Sequence, residues 1–217
     1  KNKSIISYET IKHESLFSGN ENNNKLIIFI SGHEPKSTNE KDSVKAIVNN
    51  LQNHDVLHLS IFNRGLNKKY RSELSFKGLE KNSDYKLDNN NILKLYENKN
   101  KNMNTLALFL SGNYYLIRDV LLNKKYDQVT IAGLSGGSIS TYFYSVLFDE
   151  ITNIFTFDGV IPLKLNFFSS KITSFFYYND NKFLEKYDFD TLYFFLINNK
   201  KNLEMHYSDL HWNKSYE

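Results

Sequence analysis

The sequence predicts an α/β protein built on a doubly wound, mostly parallel sheet flanked by helices. Three observations point there. Short apolar runs of strand length alternate with segments whose apolar residues recur at helical spacing. One of those runs, Val129 to Ala132, passes through a glycine-rich turn into an apolar helix. The chain has 217 residues, 41% hydrophobic and 24% charged, which is the composition of an ordinary globular protein with room for a sizeable core. Residues 1–217 are therefore read as a single domain.

Ser4 to Tyr8 and Ile11 to Phe17 read as opening strands joined by a short turn. Lys25 to Ser31 is a continuous apolar run between Asn-rich sequence and Gly32, the pattern of a strand buried on both faces. Asp42 or Ser43 can cap a helix with Val44, Ile47, Val48 and Leu51 at i, i+3, i+4 and i+7. Val56 to Phe62 reads as the next strand. A polar excursion then runs from Arg64 to Asn104, far longer than the ~2–6-residue connections usual in α/β units. Thr105 to Lys124 reads as a helix, with Leu106, Phe109, Leu110, Ile117, Val120 and Leu121 on one stripe; Gly112 inside it costs ~1 kcal/mol against Ala. Gln128 to Ala132 is a strand, Ser138 to Phe148 a helix and Ile151 to Phe157 a strand. Asp188 to Asn199 fits either helix or strand, and Leu203 to Ser208 a last strand. The aromatic stretch Phe167 to Tyr178, within about 163–185, reads as core packing or, on a sharper view, as a lid or acyl pocket.

Composition removes several function classes. Lys+Arg 27 against Asp+Glu 24 leaves +3, too small an excess to argue for nucleic acid or an acidic lipid surface. The absence of cysteine excludes disulfides, a thiolate nucleophile and Cys-ligated metals. The longest apolar runs, such as Leu26 to Ile30, fall well short of the ~20 residues of a transmembrane helix. Lys1-Asn2-Lys3 leads into polar sequence rather than the apolar core of a signal peptide, which leans the compartment toward the cytoplasm, although the chain does not begin with Met. The 29 Asn and 24 Lys against 3 Arg read as AT-rich codon usage, so Lys/Asn stretches are taken as solvated surface. No phosphate-cradling glycine motif is present, and His54 and His58, though at i, i+4, fall at the mouth of and within a strand without a third ligand. They are read as structural, and no metal or cofactor is expected.

Of 9 glycines, three fall within Gly133-Leu134-Ser135-Gly136-Gly137, between a strand and a helix. This is G-x-S-x-G in the context that gives it chemical meaning. The serine must sit on a strained turn with its hydroxyl exposed, and the flanking glycines Gly133 and Gly137 remove Cβ atoms that would clash there. The N–H of Gly136, first in the helix, then points toward a developing oxyanion and adds the positive end of the helix dipole. The bland alternative is a Gly-Ser turn that merely links strand to helix.

With these residues the chain resembles the α/β-hydrolase superfamily over nearly its whole length. Ser31-Gly32-His33 is similar to the turn after the third strand that supplies the second oxyanion N–H, a role the resemblance gives to the backbone amide of His33; Ser31 stands where the family often has His. Asn63-Arg64-Gly65 is similar to the turn after the next strand. Leu134-Ser135-Gly136-Gly137 and Asp158-Gly159-Val160-Ile161-Pro162-Leu163 match, in order, segments of a little-characterised esterase-like group. The resemblance implies the chain order serine, acid, base, with Asp209 as the acid after the last strand.

Only His206 and His211 follow Ser135, so the base is one of them or lies outside this chain. The family pattern has a further strand and helix after the acid, with the base beyond that strand, whereas here eight residues follow Asp209. Either the chain is a fragment lacking that strand and helix, the reading slightly favoured, or His211 is the base, oriented by Asp209 or by an upstream carboxylate such as Asp158. His206, inside a strand, reads as structural. A patatin-like Ser-Asp dyad using Asp158-Gly159 is disfavoured, because 134 residues and no glycine-rich oxyanion loop precede the serine. The expected function is a serine hydrolase cleaving a carboxylic ester, of a small molecule or a glycan, through an acyl-serine. The alternatives are a non-catalytic hydrolase-fold binding module and an acyltransferase using the same serine. The sequence leaves the oligomeric state open.

Overall fold

The structure, a computed structural model, describes residues 2–7, 12–32, 50, 51, 53–60, 105–158 and 189–206. Among the described residues seven strands form one sheet in the order β1-β2-β4-β3-β5-β6-β7. They are β1 (Asn2–Ser7), β2 (Lys12–Ser18), β3 (Lys25–Ser31), β4 (Asp55–Ser60), β5 (Gln128–Leu134), β6 (Ile151–Phe157) and β7 (Asn202–His206). β1 pairs antiparallel with β2, and β2 antiparallel with β4; every pairing from β4 through β3, β5 and β6 to β7 is parallel. Three helices are described: α1 (Thr105–Asn123), α2 (Gly136–Leu147) and α3 (Phe189–Asn198). Among the described residues no helix is long and apolar enough to cross a membrane.

The strands fall close to where the apolar runs predicted them. α2 begins at Gly136, two residues before the expected Ser138, because the turn itself supplies the first helical residues. The ambiguous segment 188–199 is helical over Phe189–Asn198. Leu192 and Leu196, one turn apart, are its buried face, while Phe194, Phe195 and Ile197 are exposed, and those outward apolar side chains blur the period in sequence. The helix expected over 42–51, apart from residues 50 and 51, the whole polar excursion at 64–104 and the aromatic stretch at 163–185 lie outside the described residues.

The core takes one face of the sheet. Cross-strand register puts Leu26, Ile28 and Ile30 of β3 on the same side as Leu57 and Leu59 of β4 and Val129 and Ile131 of β5. These join Leu116 and Ile117 of α1, Ile139, Tyr142 and Tyr144 of α2, and Leu192 and Leu196 of α3 in a single cluster. β3 was expected to be buried on both faces, and Phe29 on the other face is also buried. β5 alternates instead, with Val129, Ile131 and Gly133 buried and their neighbours half-buried.

At the end where β4 begins, Asp55 is 1% exposed and its charge is matched from four directions. Oδ1 accepts from the Asn20 N–H (2.9 Å) and Asn23 Nδ2 (3.0 Å); Oδ2 accepts from Lys124 Nζ (2.9 Å) and the Tyr126 hydroxyl (2.8 Å). A buried carboxylate is tolerated only with such partners, and here they tie the turn after β2 to the segment leaving α1.

These groups give stability a pH dependence with two windows. Burial pushes His58 down from 6.5 to about 4, and burial together with the Lys25 charge lowers His54. The unfolded chain takes up these protons near pH 6.5 while the folded chain refuses them, so stability is full above that pH and declines as pH falls toward 4. Burial alone would raise the pKa of Asp55, but its hydrogen bonds from Lys124, Asn20, Tyr126 and Asn23 outweigh that and lower it, so its contribution is lost only below the usual value of 3.8. The thermal midpoint is therefore expected to fall between about pH 6.5 and 4, with a shallower slope in His58→Gln and a second loss below ~3.8 unchanged by that substitution. An equal slope in both proteins between pH 6.5 and 4 would rule out His58 as a source of the first window.

Candidate active site

The parallel strands β3, β5, β6 and β7 all end at one edge of the sheet, and Gly32, Ser135, Asp158 and His206 lie at those strand ends. Ser135 joins β5 to α2 with φ 53° and ψ −118°, a region that costs a non-glycine residue ~1–3 kcal/mol and is held only where surrounding structure imposes it. What imposes it is visible. The Ser135 N–H donates to the Phe157 carbonyl at the end of β6 (2.8 Å), and the Ser138 N–H donates back to the Ser135 carbonyl (3.0 Å). Although Ser135 occupies the N-cap position of α2, its hydroxyl caps no helix N–H.

Each glycine around it marks a close backbone approach. A Cβ on Gly133 would lie 2.5 Å from the Gly137 carbonyl and 2.6 Å from the Ser138 nitrogen. One on Gly137 would fall on the Ile30 carbonyl of β3, with the Ser31 oxygen 2.9 Å away. One on Gly32 would meet the Leu134 carbonyl oxygen at 2.6 Å and the Ser135 Cβ at 3.0 Å. Gly32, the residue before the expected oxyanion donor His33, is thus packed directly against Ser135. Gly136 opens α2, where the first N–H groups of a helix have no intrahelical carbonyl to meet.

Ser138, which sequence reading treated only as the start of the helix, turns out to rivet the turn from behind. It is fully buried; its Oγ lies 2.5 Å from the Gly133 carbonyl and 2.8 Å from the Phe157 carbonyl as acceptors for its proton, and it accepts the Phe157 N–H at 3.0 Å. In sequence Ser138 stands three residues after Ser135, outside the G-x-S-x-G motif and with no mark of this role.

The remaining candidates divide. Asp158 follows β6 with φ 52°, the second strained non-glycine residue at this edge, and its N–H donates to the His206 carbonyl (2.9 Å). His206 ends β7; its ring stacks on Phe157 (5.1 Å between centroids, 17° between planes) and its Nε2 lies 3.5 Å from Glu204. His33, Asp209 and His211 lie outside the described residues. His54 and His58 are both in the β4 region, and His58 Nε2 shares a 2.6 Å hydrogen bond with Ser31 Oγ, a contact not legible in the sequence.

Because a Cβ on Gly137 would collide with main chain rather than with a movable side chain, Gly137→Ala is expected to lose ~1–3 kcal/mol or more of stability. Chemical denaturation measures this, and an unchanged midpoint would mean that β3 and α2 can separate without cost.

No protein-family model matches the chain, and no curated protein does. Several solved structures resemble it. Est1E from Butyrivibrio proteoclasticus, with ferulic acid bound, aligns at a TM-score of 0.45 and 15% identity, covering 71% of this chain and 51% of its own. A putative alpha/beta hydrolase from Nostoc sp PCC 7120 aligns at 0.47 and 9%, covering 84% and 51%. The thioesterase domain from the curacin biosynthetic pathway aligns at 0.44 and 14%, covering 74% and 47%. The chain spans about half the length of these structures. Its own topology carries the assignment: a parallel sheet in the order β4-β3-β5-β6-β7 behind an antiparallel pair, with a positive-φ serine between the central strand β5 and the helix packed against it, is the α/β-hydrolase fold.

Proposed function

We propose that the chain is a serine hydrolase acting on a carboxylic ester, of a small molecule or a glycan, through an acyl-serine intermediate. The observation that carries this reading is the strained turn at Ser135, which sets a serine whose hydroxyl is not used for capping at the N-terminus of α2, with its Cβ packed close to Gly32. In the proposed mechanism Ser135 Oγ attacks the ester carbonyl while His211 removes its proton, and Asp209 orients the imidazole and stabilises the imidazolium. The N–H groups of Gly136 and His33 receive the oxyanion, with the helix dipole of α2 adding to them. His211 then protonates the leaving alcohol, and a water activated by the same base releases the acid.

Two features support the division of roles. β7 ends three residues before Asp209, at the same sheet edge as Ser135. His206 has its ring on Phe157 and its Nε2 toward Glu204, which favours His211 as the base. The strained Asp158, at the end of the strand next to the elbow, is the rival orienting carboxylate.

A fluorophosphonate probe tests the reading by intact mass. A single adduct mapped to Ser135, absent in Ser135→Ala of unchanged circular dichroism, is expected. No adduct on the parent chain would mean that the base lies outside this chain or that the site is inactive, and would move the ligand-binding alternative ahead. Asp209→Asn is expected to slow turnover by about 10⁴-fold, and Asp158→Asn by less than about tenfold; the reverse ranking would move the acid to the end of β6. An acyl group passed to added alcohol in preference to water would identify an acyltransferase.

A further inference from the structure

The mechanism above leaves His58 and Ser31 without a task, yet they form a close polar pair beside it. The ring of His58 lies on the sheet face opposite the buried core, tilted against Phe29 at 5.5 Å, with Nε2 2.6 Å from Ser31 Oγ. Ser31 is the last residue of β3, at a point where support from the elbow side has run out. The β3–β5 ladder ends at the pair Ile30 and Gly133, while the β3–β4 ladder continues to Ser31 and Ser60. Ser31 nevertheless carries two contacts that shape the site: its carbonyl faces Gly137, and the next residue, Gly32, rests on Leu134 and Ser135.

We propose that the Ser31–His58 hydrogen bond is a positioning device for the catalytic serine, fixing the end of β3 so that Gly32 is held at a set distance from Ser135. The inference rests on the serine-hydrolase reading for its catalytic consequence and on the geometry of β3 for its structural one. His58 suits the task because its ring is packed against Phe29 with Nε2 on Ser31 Oγ, and burial keeps it neutral down to about pH 4. Both residues act through Gly32 rather than on substrate, so removing the bond should change the rate of the covalent step more than the affinity for the reagent.

The test uses the full chain with Ser31→Ala and with Ser31→Thr, which keeps the hydroxyl, at a temperature where circular dichroism shows all three folded. Phosphonylation of Ser135 by a fluorophosphonate is followed by intact mass over a range of probe concentrations. Ser31→Ala is expected to lower the limiting rate by about ten- to a hundredfold, the scale of a misplacement near 1 Å, with the half-saturating probe concentration within about twofold. Ser31→Thr is expected to recover most of that rate. In parallel, ¹⁵N spectra should show the Gly32 and Ser135 amides shifted and exchanging faster in Ser31→Ala, and returned toward the parent in Ser31→Thr. An Ala variant that reacts within about twofold of the parent, or Gly32 and Ser135 amides that do not move, overturns the proposal. If the parent itself takes no adduct, this chain holds no working base or no active site, and the amide spectra alone then decide whether Ser31 and His58 set this backbone.

Discussion

The elbow depends on one close contact, the backbone of α2 lying against the backbone of β3. A Cβ at Gly137 would land on the Ile30 carbonyl, so the helix comes this near only because residue 137 has none. Gly133 and Gly32 extend the same requirement to the strand before the turn and to the neighbouring strand end. With three approaches made at main-chain distance, the chain has no relaxed way to pass from β5 into α2. Ser135 absorbs the difference in a positive-φ conformation, and the hydrogen bonds through Phe157 and Ser138 keep it there. Strain of this kind persists where neighbours over-determine it.

The electrostatics of α2 follow the same axis. Its first turn carries no acidic residue, so no carboxylate of its own opposes the positive end of the helix dipole beside Ser135. At the other end Lys201 donates to the Ser145 carbonyl (2.6 Å) and the Phe148 carbonyl (2.8 Å), placing a cation at the negative pole. Burial lowers the Lys201 pKa, and the charges of Asp149 and Glu150 work against that shift. The buried Asp55 cluster lies where β4 begins, away from the edge that carries Ser135, and its carboxylate is fully occupied by protein donors.

Much of this architecture was written in the order of residues. β3 carries an unbroken apolar run and β6 an apolar pattern interrupted by Thr152, Asn153 and Thr156, and the limits of both were legible almost to the residue, as was α1 despite its interior Gly112. The elbow was legible because G-x-S-x-G has a local cause: glycines are needed where backbones meet, and those needs fall within five consecutive residues. The helical state of α3 was not, since Phe194, Phe195 and Ile197 point outward and remove the contrast that a period requires. Neither the rivet at Ser138 nor the pairing of Ser31 with His58 could be read, because each joins residues 19 to 27 positions apart through a hydroxyl that looks the same in every serine.

What the sequence by itself determined is therefore what local physics controls: the alternation of strand and helix, and the turn on which Ser135 sits. What only the tertiary structure decided is which of the chemically similar groups stand next to that turn. Strand order brings the ends of β3, β6 and β7 to the elbow, placing Gly32, Asp158 and His206 around it with φ angles and partners no spacing rule specifies. The physical reason is that sheet neighbours are chosen by the burial of whole faces, summed over many residues, whereas a local turn is chosen by sterics within a few.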